Sequence, residues 1–196
     1  MTFWDFCSPI YDFVQKQNKN YKKWINEVIN EIDNNAEILE IAGGTGSISI
    51  KASQKVKSVI CTDISNNMLK IAKRKAKNIG NISFEVCDIY NTKYKDNSFD
   101  ITIASQVLHL LDNPGKAVEE LLRITKNKLI LPLCLTKNVK GFEKFKINLW
   151  KTLGFKPKYE FDEQGYIKFI EELNLKIIKS KVIKGEMPMM IVVCKK

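Results

Sequence analysis

The chain has 196 residues, of which 44 % are hydrophobic, and a formal charge of +10. That is enough for one domain with a full core and short for a nucleotide-binding domain plus a separate substrate domain. No apolar run approaches the ~18 residues that cross a bilayer, and the stretch from Met1 to Phe6 carries an acid and no base before Lys16, unlike a signal peptide, so a single cytoplasmic domain over 1–196 with no membrane span is expected.

Residues 3–14 are crowded with aromatics, Phe3, Trp4, Phe6, Tyr11 and Phe13, which must cover something apolar. Pro9 predicts a short helical turn, a break and a second piece. From Lys19 to Ile32, Trp24, Ile25, Val28, Ile29 and Ile32 recur at helical spacing, which predicts a structural helix packed on a sheet. Residues 1–33 are thus expected to form a strap and helix covering the site. A first strand runs from Ala36 to Ile41 and meets Ala42-Gly43-Gly44-Thr45-Gly46, and a helix is predicted from Ser47 to Val56. Glycines in such a turn leave room for a ligand to approach the backbone. Glu40 closes the strand, which places its carboxylate at the mouth, and the following helix N-terminus favours an anionic partner.

Ser58 to Asp63 reads as a short buried strand ending in an acid, with Ser65 as N-cap of a helix whose inward stripe is Met68, Leu69, Ala72 and Ala76. A third strand, Ile82 to Cys87, ends at Asp88-Ile89, and a fourth, Phe99 to Ala104, ends at Ser105, with Asp100 at its far end in a structural role. Asn113-Pro114 starts another helix, Lys128 to Leu135 is a fifth strand, and residues 138–173 hold helical segments interrupted at Gly154 to Pro157. Leu175 to Val182 and Met189 to Cys194 form a closing antiparallel hairpin through Lys184-Gly185-Glu186. Glu40, Asp63, Asp88 and Ser105 therefore end four successive strands, each separated by one crossover. A parallel sheet lines such residues along one edge, where doubly wound folds bind ligands. A dinucleotide-binding turn fits less well, because Ser49 stands where its third glycine belongs and an acid at Glu40 is foreign to that pattern.

The order acid, apolar, small, small, Gly, Thr, Gly from Glu40 to Gly46 resembles motif I of the class I S-adenosylmethionine-dependent methyltransferases, with Ala42 where the family usually has Gly. Asp63-Ile64-Ser65-Asn66-Asn67-Met68-Leu69 is similar to the family's Asp-x-Ser-x-x-Met-Leu, and the segment around Tyr11-Asp12 loosely resembles one that folds over the methionine end of the cofactor. The resemblance implies an α/β, Rossmann-like doubly wound sheet of seven strands, mostly parallel, with helices on both faces. It implies S-adenosylmethionine as cofactor and S-adenosylhomocysteine as product, held by Glu40, Ala42, Gly43, Gly44 and Gly46 at the turn. Asp63 would accept from the ribose hydroxyls beside Ile64, Asp88 from the adenine amine with Ile89 on the ring, and Ser105 would border the transfer site. Met68 either flanks the adenine or packs in the core.

Methyl transfer from a sulfonium is a direct displacement that asks the protein to align three atoms and exclude water. A base is needed only for a protonated acceptor; His109, the sole histidine, and Tyr11 are the candidates, with helix capping or packing beside Leu110 the alternative for His109. Five scattered cysteines without a Cys-x-x-Cys pair suggest neither a disulfide framework nor a metal site. Of 32 Lys and Arg only Arg74 and Arg123 are arginine, whereas nucleic-acid recognition favours the arginine fork. The chain also lacks the Asn/Asp-Pro-Pro-Tyr/Phe and Pro-Cys motifs of nucleic-acid methylating enzymes. A small-molecule acceptor is expected, the resemblance being to the ubiquinone/menaquinone-biosynthesis-like group, for a monomer or homodimer. An RNA methyltransferase and a cofactor-binding protein without transferase activity are the alternatives.

Overall fold

The computed structural model describes residues 3–196; Met1 and Thr2 of the expected strap lie outside them. Helices α1 (Phe3–Lys16) and α2 (Tyr21–Asn30) precede β1 (Glu37–Ile41), α3 (Ser47–Ala52), β2 (Ser58–Asp63), α4 (Asn66–Lys75), β3 (Ile82–Val86) and β4 (Phe99–Ala104). A 3₁₀ turn at Leu108–Leu110 leads to α5 (Pro114–Ile124), β5 (Thr125–Cys134), α6 (Gly141–Thr152), α7 (Glu163–Glu172), β6 (Lys176–Ile183) and β7 (Met189–Lys195). The seven strands form one sheet in the order β3-β2-β1-β4-β5-β7-β6. Every neighbouring pair from β3 to β5 is parallel, and β7 runs antiparallel to both β5 and β6. This is the doubly wound sheet with a closing hairpin that the sequence implies.

Strands buried on both faces are apolar at most successive positions rather than at alternate ones, and their alternate side chains feed two separate cores. In β1, Leu39 and Ile41 join Leu129, Leu131, Leu121 and Tyr166 beneath α5 and α7. Ile38 points the other way, joining Ile101, Ile103, Val28 and Ile48 beneath α2 and α3. The order of strands reverses between β1 and β4, so the chain diverges to opposite sides there and leaves a crevice at their carboxyl ends.

Caps fix where the helices start. Ser65 accepts from the Met68 N–H, and Asn113, followed by Pro114, accepts from the Lys116 N–H. Two expectations fail. Helix α3 stops at Ala52 rather than Val56, and α1 runs through Pro9 without a break. Proline at position 9 leaves the Asp5 carbonyl without its helical donor, and the Ser8 hydroxyl donates to that carbonyl at 3.0 Å, replacing the missing bond.

Candidate cofactor and transfer site

The turn after β1 is shaped by three different backbone requirements. Ala42 itself takes the left-handed φ of +56°, a conformation costing a non-glycine residue ~1 kcal/mol or more. Gly43 needs space: a Cβ there would stand 2.5 Å from the Cys61 Sγ and 3.2 Å from the Glu40 Cδ. Gly44 and Gly46 are left-handed at +56° and +77°, and Gly46 also faces the Ala72 methyl. The turn is stitched to the next strand, with the Gly43 N–H donating to the Thr62 carbonyl at 2.8 Å and the Thr62 hydroxyl to the Glu40 carbonyl at 3.0 Å.

Glu40 does not open its carboxylate to the mouth. It is 1 % exposed, lies under the turn, and accepts from both the N–H (2.9 Å) and the hydroxyl of Ser49. The anionic partner expected at the start of α3 is thus the protein's own side chain, on a helix of six residues. Burial raises the Glu40 pKa to about 7, against the opposing Ser49 bonds and with the Asp63 charge adding to the rise.

Asp63, at the end of β2, is equally built in. Its Oδ2 accepts from the Gly44 N–H and its Oδ1 from the Ser65 N–H, both at 2.8 Å, while burial raises its pKa. Two of about four acceptor sites on the carboxylate are thereby used, leaving capacity for donors from the cavity. Ile64 beside it is 56 % exposed, and Asp88 at the end of β3 is exposed with its Oδ1 on the Tyr90 N–H.

These parts border one cavity of about 230 Å³ at the carboxyl ends of the strands. Its walls include Glu40, Ala42, Gly43 and Gly44 from the turn, Asp63, Ile64 and Met68 from the second crossover, and Asp88, Ile89 and Ser105 from the third and fourth strand ends. Gly46 is outside the lining. So is His109: its ring packs against Phe155, its carbonyl accepts from the Lys158 and Tyr159 N–H groups, and its buried Nδ1 has no partner. Burial lowers the His109 pKa to about 4, which keeps it neutral near pH 7.

Helix α1 roofs the cavity with Trp4, Tyr11 and Gln15. Burial pushes the Tyr11 phenol far above its usual value, so it stays protonated and can donate rather than act as a base. Two carboxylates latch this roof to α4 and to the turn: Asp5 accepts from the hydroxyl of the α4 cap Ser65 at 2.6 Å, and Asp12 from Thr45 of the turn at 2.5 Å and Lys75 of α4 at 2.9 Å. Of the strap aromatics, Phe3, Trp4 and Tyr11 turn inward to a cluster with Trp150 and Phe155, whereas Phe6 and Phe13 face solvent.

Sequence reasoning gave α2 a structural place over the site and named none of its side chains as lining, yet Tyr21 and Trp24 stand in the cavity wall, stacked on each other with centroids 5.8 Å apart. The Trp24 Nε1–H is buried without an acceptor. Gln106 was also missed. It has φ +54° and its amide clamps Cys134, accepting from its N–H at 3.0 Å and reaching its Sγ at 3.2 Å. Among the described residues, no three His, Cys, Asp or Glu side chains are grouped to hold a metal, and no helix is long and apolar enough to cross a membrane.

Residues 39–131 match the model of a family described as a methyltransferase domain. A demethylmenaquinone methyltransferase of Paenarthrobacter aurescens is 33 % identical over 129 residues, covering 64 % of this chain and 50 % of that protein. The chain spans about half the length of the curated relatives it matches. Among solved structures, a Thermotoga maritima S-adenosylmethionine-dependent methyltransferase, described as a possible histamine N-methyltransferase, superposes with a TM-score of 0.76 at 18 % identity, over 99 % of this chain and 98 % of that one. Magnesium protoporphyrin IX methyltransferase of Synechocystis, solved with bound S-adenosylhomocysteine, gives 0.67 at 18 % identity, over 90 % and 84 %. The fold is that of these Rossmann-like methyltransferases, and the matched stretch is similar in sequence to methyltransferases of menaquinone and ubiquinone biosynthesis.

Proposed function

We propose that the chain is an S-adenosylmethionine-dependent methyltransferase that passes a methyl group to a small-molecule acceptor by direct displacement. The observation that carries this reading is the convergence of the glycine turn, Asp63-Ile64, Asp88-Ile89 and Ser105 on one cavity. The residues present suit the cofactor. Asp63 has unused acceptor capacity toward the cavity, and Ile64 is an apolar side chain left open at the rim.

In this reading Asp63 accepts from the two ribose hydroxyls, a role that needs an acceptor-only group. Asp88 accepts from the adenine amine, and Ile64 and Ile89 cover the faces of the ring. Ala42 to Gly44 bring backbone close to the ligand, and Glu40 holds that turn from below through Ser49. When bound, the cofactor would supply an electrophilic methyl group on a sulfonium, open to displacement by an acceptor's lone pair with the old bonding pair staying on sulfur. Trp4, Tyr11, Tyr21 and Trp24 exclude water above this line, which is the larger part of what such a displacement requires. Lysine rather than arginine over the surface favours a small molecule over nucleic acid as acceptor, in a cytoplasmic setting.

Titration calorimetry tests the reading. S-adenosylhomocysteine is expected to bind and NAD is not, and Asp63→Ala is expected to weaken the former by about 1–3 kcal/mol. Binding of NAD without S-adenosylhomocysteine overturns the proposal, and methylation of bulk RNA at stoichiometric levels overturns the acceptor class.

A further inference from the structure

Helix α1 is apolar on two sides. Its inner side covers the cavity, whereas on its outer side Phe6 (65 % exposed), Ile10 and Phe13 (69 % exposed) form a stripe at helical spacing, extended by exposed Pro9 and ending in Lys16. Helix α6 repeats the pattern with Phe142 (71 % exposed), Phe145, Leu149 and Leu153, preceded by exposed Lys140 and followed by exposed Lys156. The two helices lie head to tail beside each other. Phe3 at the start of α1 packs on Trp150 near the end of α6, and Gln17 to Asn20 just beyond α1 share a groove with Glu143 near the start of α6. Most of the exposed large apolar side chains among the described residues therefore lie on one pair of neighbouring helices next to the cavity.

The acids of these helices are withdrawn from that surface. Asp5 and Asp12 are bonded to Ser65, Thr45 and Lys75 beneath α1, and Glu143 is paired with Lys146. What remains outward is phenylalanine and leucine flanked by lysine. Protein interfaces deplete lysine at their apolar centre, and a second copy of a chain carrying +10 would meet the same cationic rim. An anionic lipid surface complements both features, since apolar rings enter the headgroup boundary while lysines meet the lipid charge.

We propose that the outer faces of α1 and α6 form one docking surface for an anionic bilayer, holding the cavity roof against the membrane. This goes beyond the methyltransferase reading and does not depend on it, because lipid binding is measured on the whole chain with no cofactor or acceptor present. The experiment is flotation with phosphatidylglycerol-containing vesicles and with pure phosphatidylcholine vesicles. Binding is expected to the former only, to weaken in high salt, and to fall at least about tenfold in Phe6→Ser/Phe13→Ser and in Phe142→Ser/Phe145→Ser, while the melting temperature and S-adenosylhomocysteine affinity stay as in the parent chain. Should either pair of substitutions disturb folding, Lys16→Gln/Lys140→Gln/Lys156→Gln keeps the apolar stripes and is expected to lower binding on its own. Absence of vesicle binding, binding that ignores all three variants, or a concentration-dependent dimer that the phenylalanine substitutions dissolve overturns the proposal, the last by making a second copy the occupant.

Discussion

The floor and the roof of the cavity are held by different kinds of bond. In the floor, Glu40 and Asp63 are acids whose bonds run mostly to backbone N–H groups of the turn and of the following helices, and the Gly43 N–H is fixed to the Thr62 carbonyl. In the roof, Asp5 and Asp12 reach chiefly hydroxyl and ammonium groups at side-chain tips, and only Cys7 and Ser8 of α1 are buried. Backbone bonds are lost only if the fold itself opens, whereas side-chain latches can break one by one. A site that must exclude water and still exchange its ligands is served by a floor fixed in advance under a roof that releases locally.

Four substitutions break or sharpen this contrast, and the floor has the larger effects. Glu40 holds its proton to about pH 7 in the folded chain, above its ordinary value of 4.5. The folded state therefore binds that proton more tightly, and the associated stability, full below the unfolded pKa, is lost as pH rises through about 7, by up to about 3 kcal/mol. Denaturant melts of the parent and of Glu40→Gln across this window are expected to diverge by that amount, the variant lacking the decline. Gly43→Ala forces a methyl group against the Cys61 Sγ and is expected to lower global stability by about 1–3 kcal/mol in urea unfolding. In the roof, Asp12→Ala removes the carboxylate shared by Thr45 and Lys75, which keep their bond to each other at 3.3 Å. Because that pair is partly solvated, global stability is expected to fall by less than about 1 kcal/mol, while hydrogen exchange over α1 accelerates and the exchange of β1 does not change. Equal acceleration in β1 would show that roof and floor open together. The smallest effect is a gain: Ala42→Gly relieves a left-handed alanine and is expected to raise stability by about 0.5 kcal/mol in the same melts.

The sheet was legible because its strands are buried on both faces, so Ile38 to Ile41 and Phe99 to Ala104 advertise themselves, and because Ser65 and Asn113-Pro114 mark helix starts by local chemistry. What could not be read depends on direction or on distant partners. The residue order says that Glu40 ends a strand; it does not say that the side chain folds back to Ser49. A helix stripe containing Tyr21 and Trp24 has the same spacing whether it faces a core or a cavity wall. Pro9 signals a break unless the neighbouring Ser8 is recognised as the donor that replaces the lost one. Gln106 meets Cys134 across two strands, and no local pattern announces such a pair. The same limit applies to His109, whose burial against Phe155 follows from a loop far along the chain.

The pairing of α1 with Trp150 and Phe155 also has a consequence for the order of folding. The partners of Phe3 are synthesised more than a hundred residues after it, and Asn20 donates to the carbonyl of Lys184, later still. During synthesis α1 can latch to Thr45, Ser65 and Lys75 early, but the rings of Phe3 and Trp4 must wait uncovered for Trp150 and Phe155 while the later parallel strands assemble, a long-range closure of the kind that slows folding and exposes intermediates to aggregation. The start of the helix made before the sheet is thus among the last parts to be covered, and an unfinished chain would present those rings to chaperones or to other nascent chains.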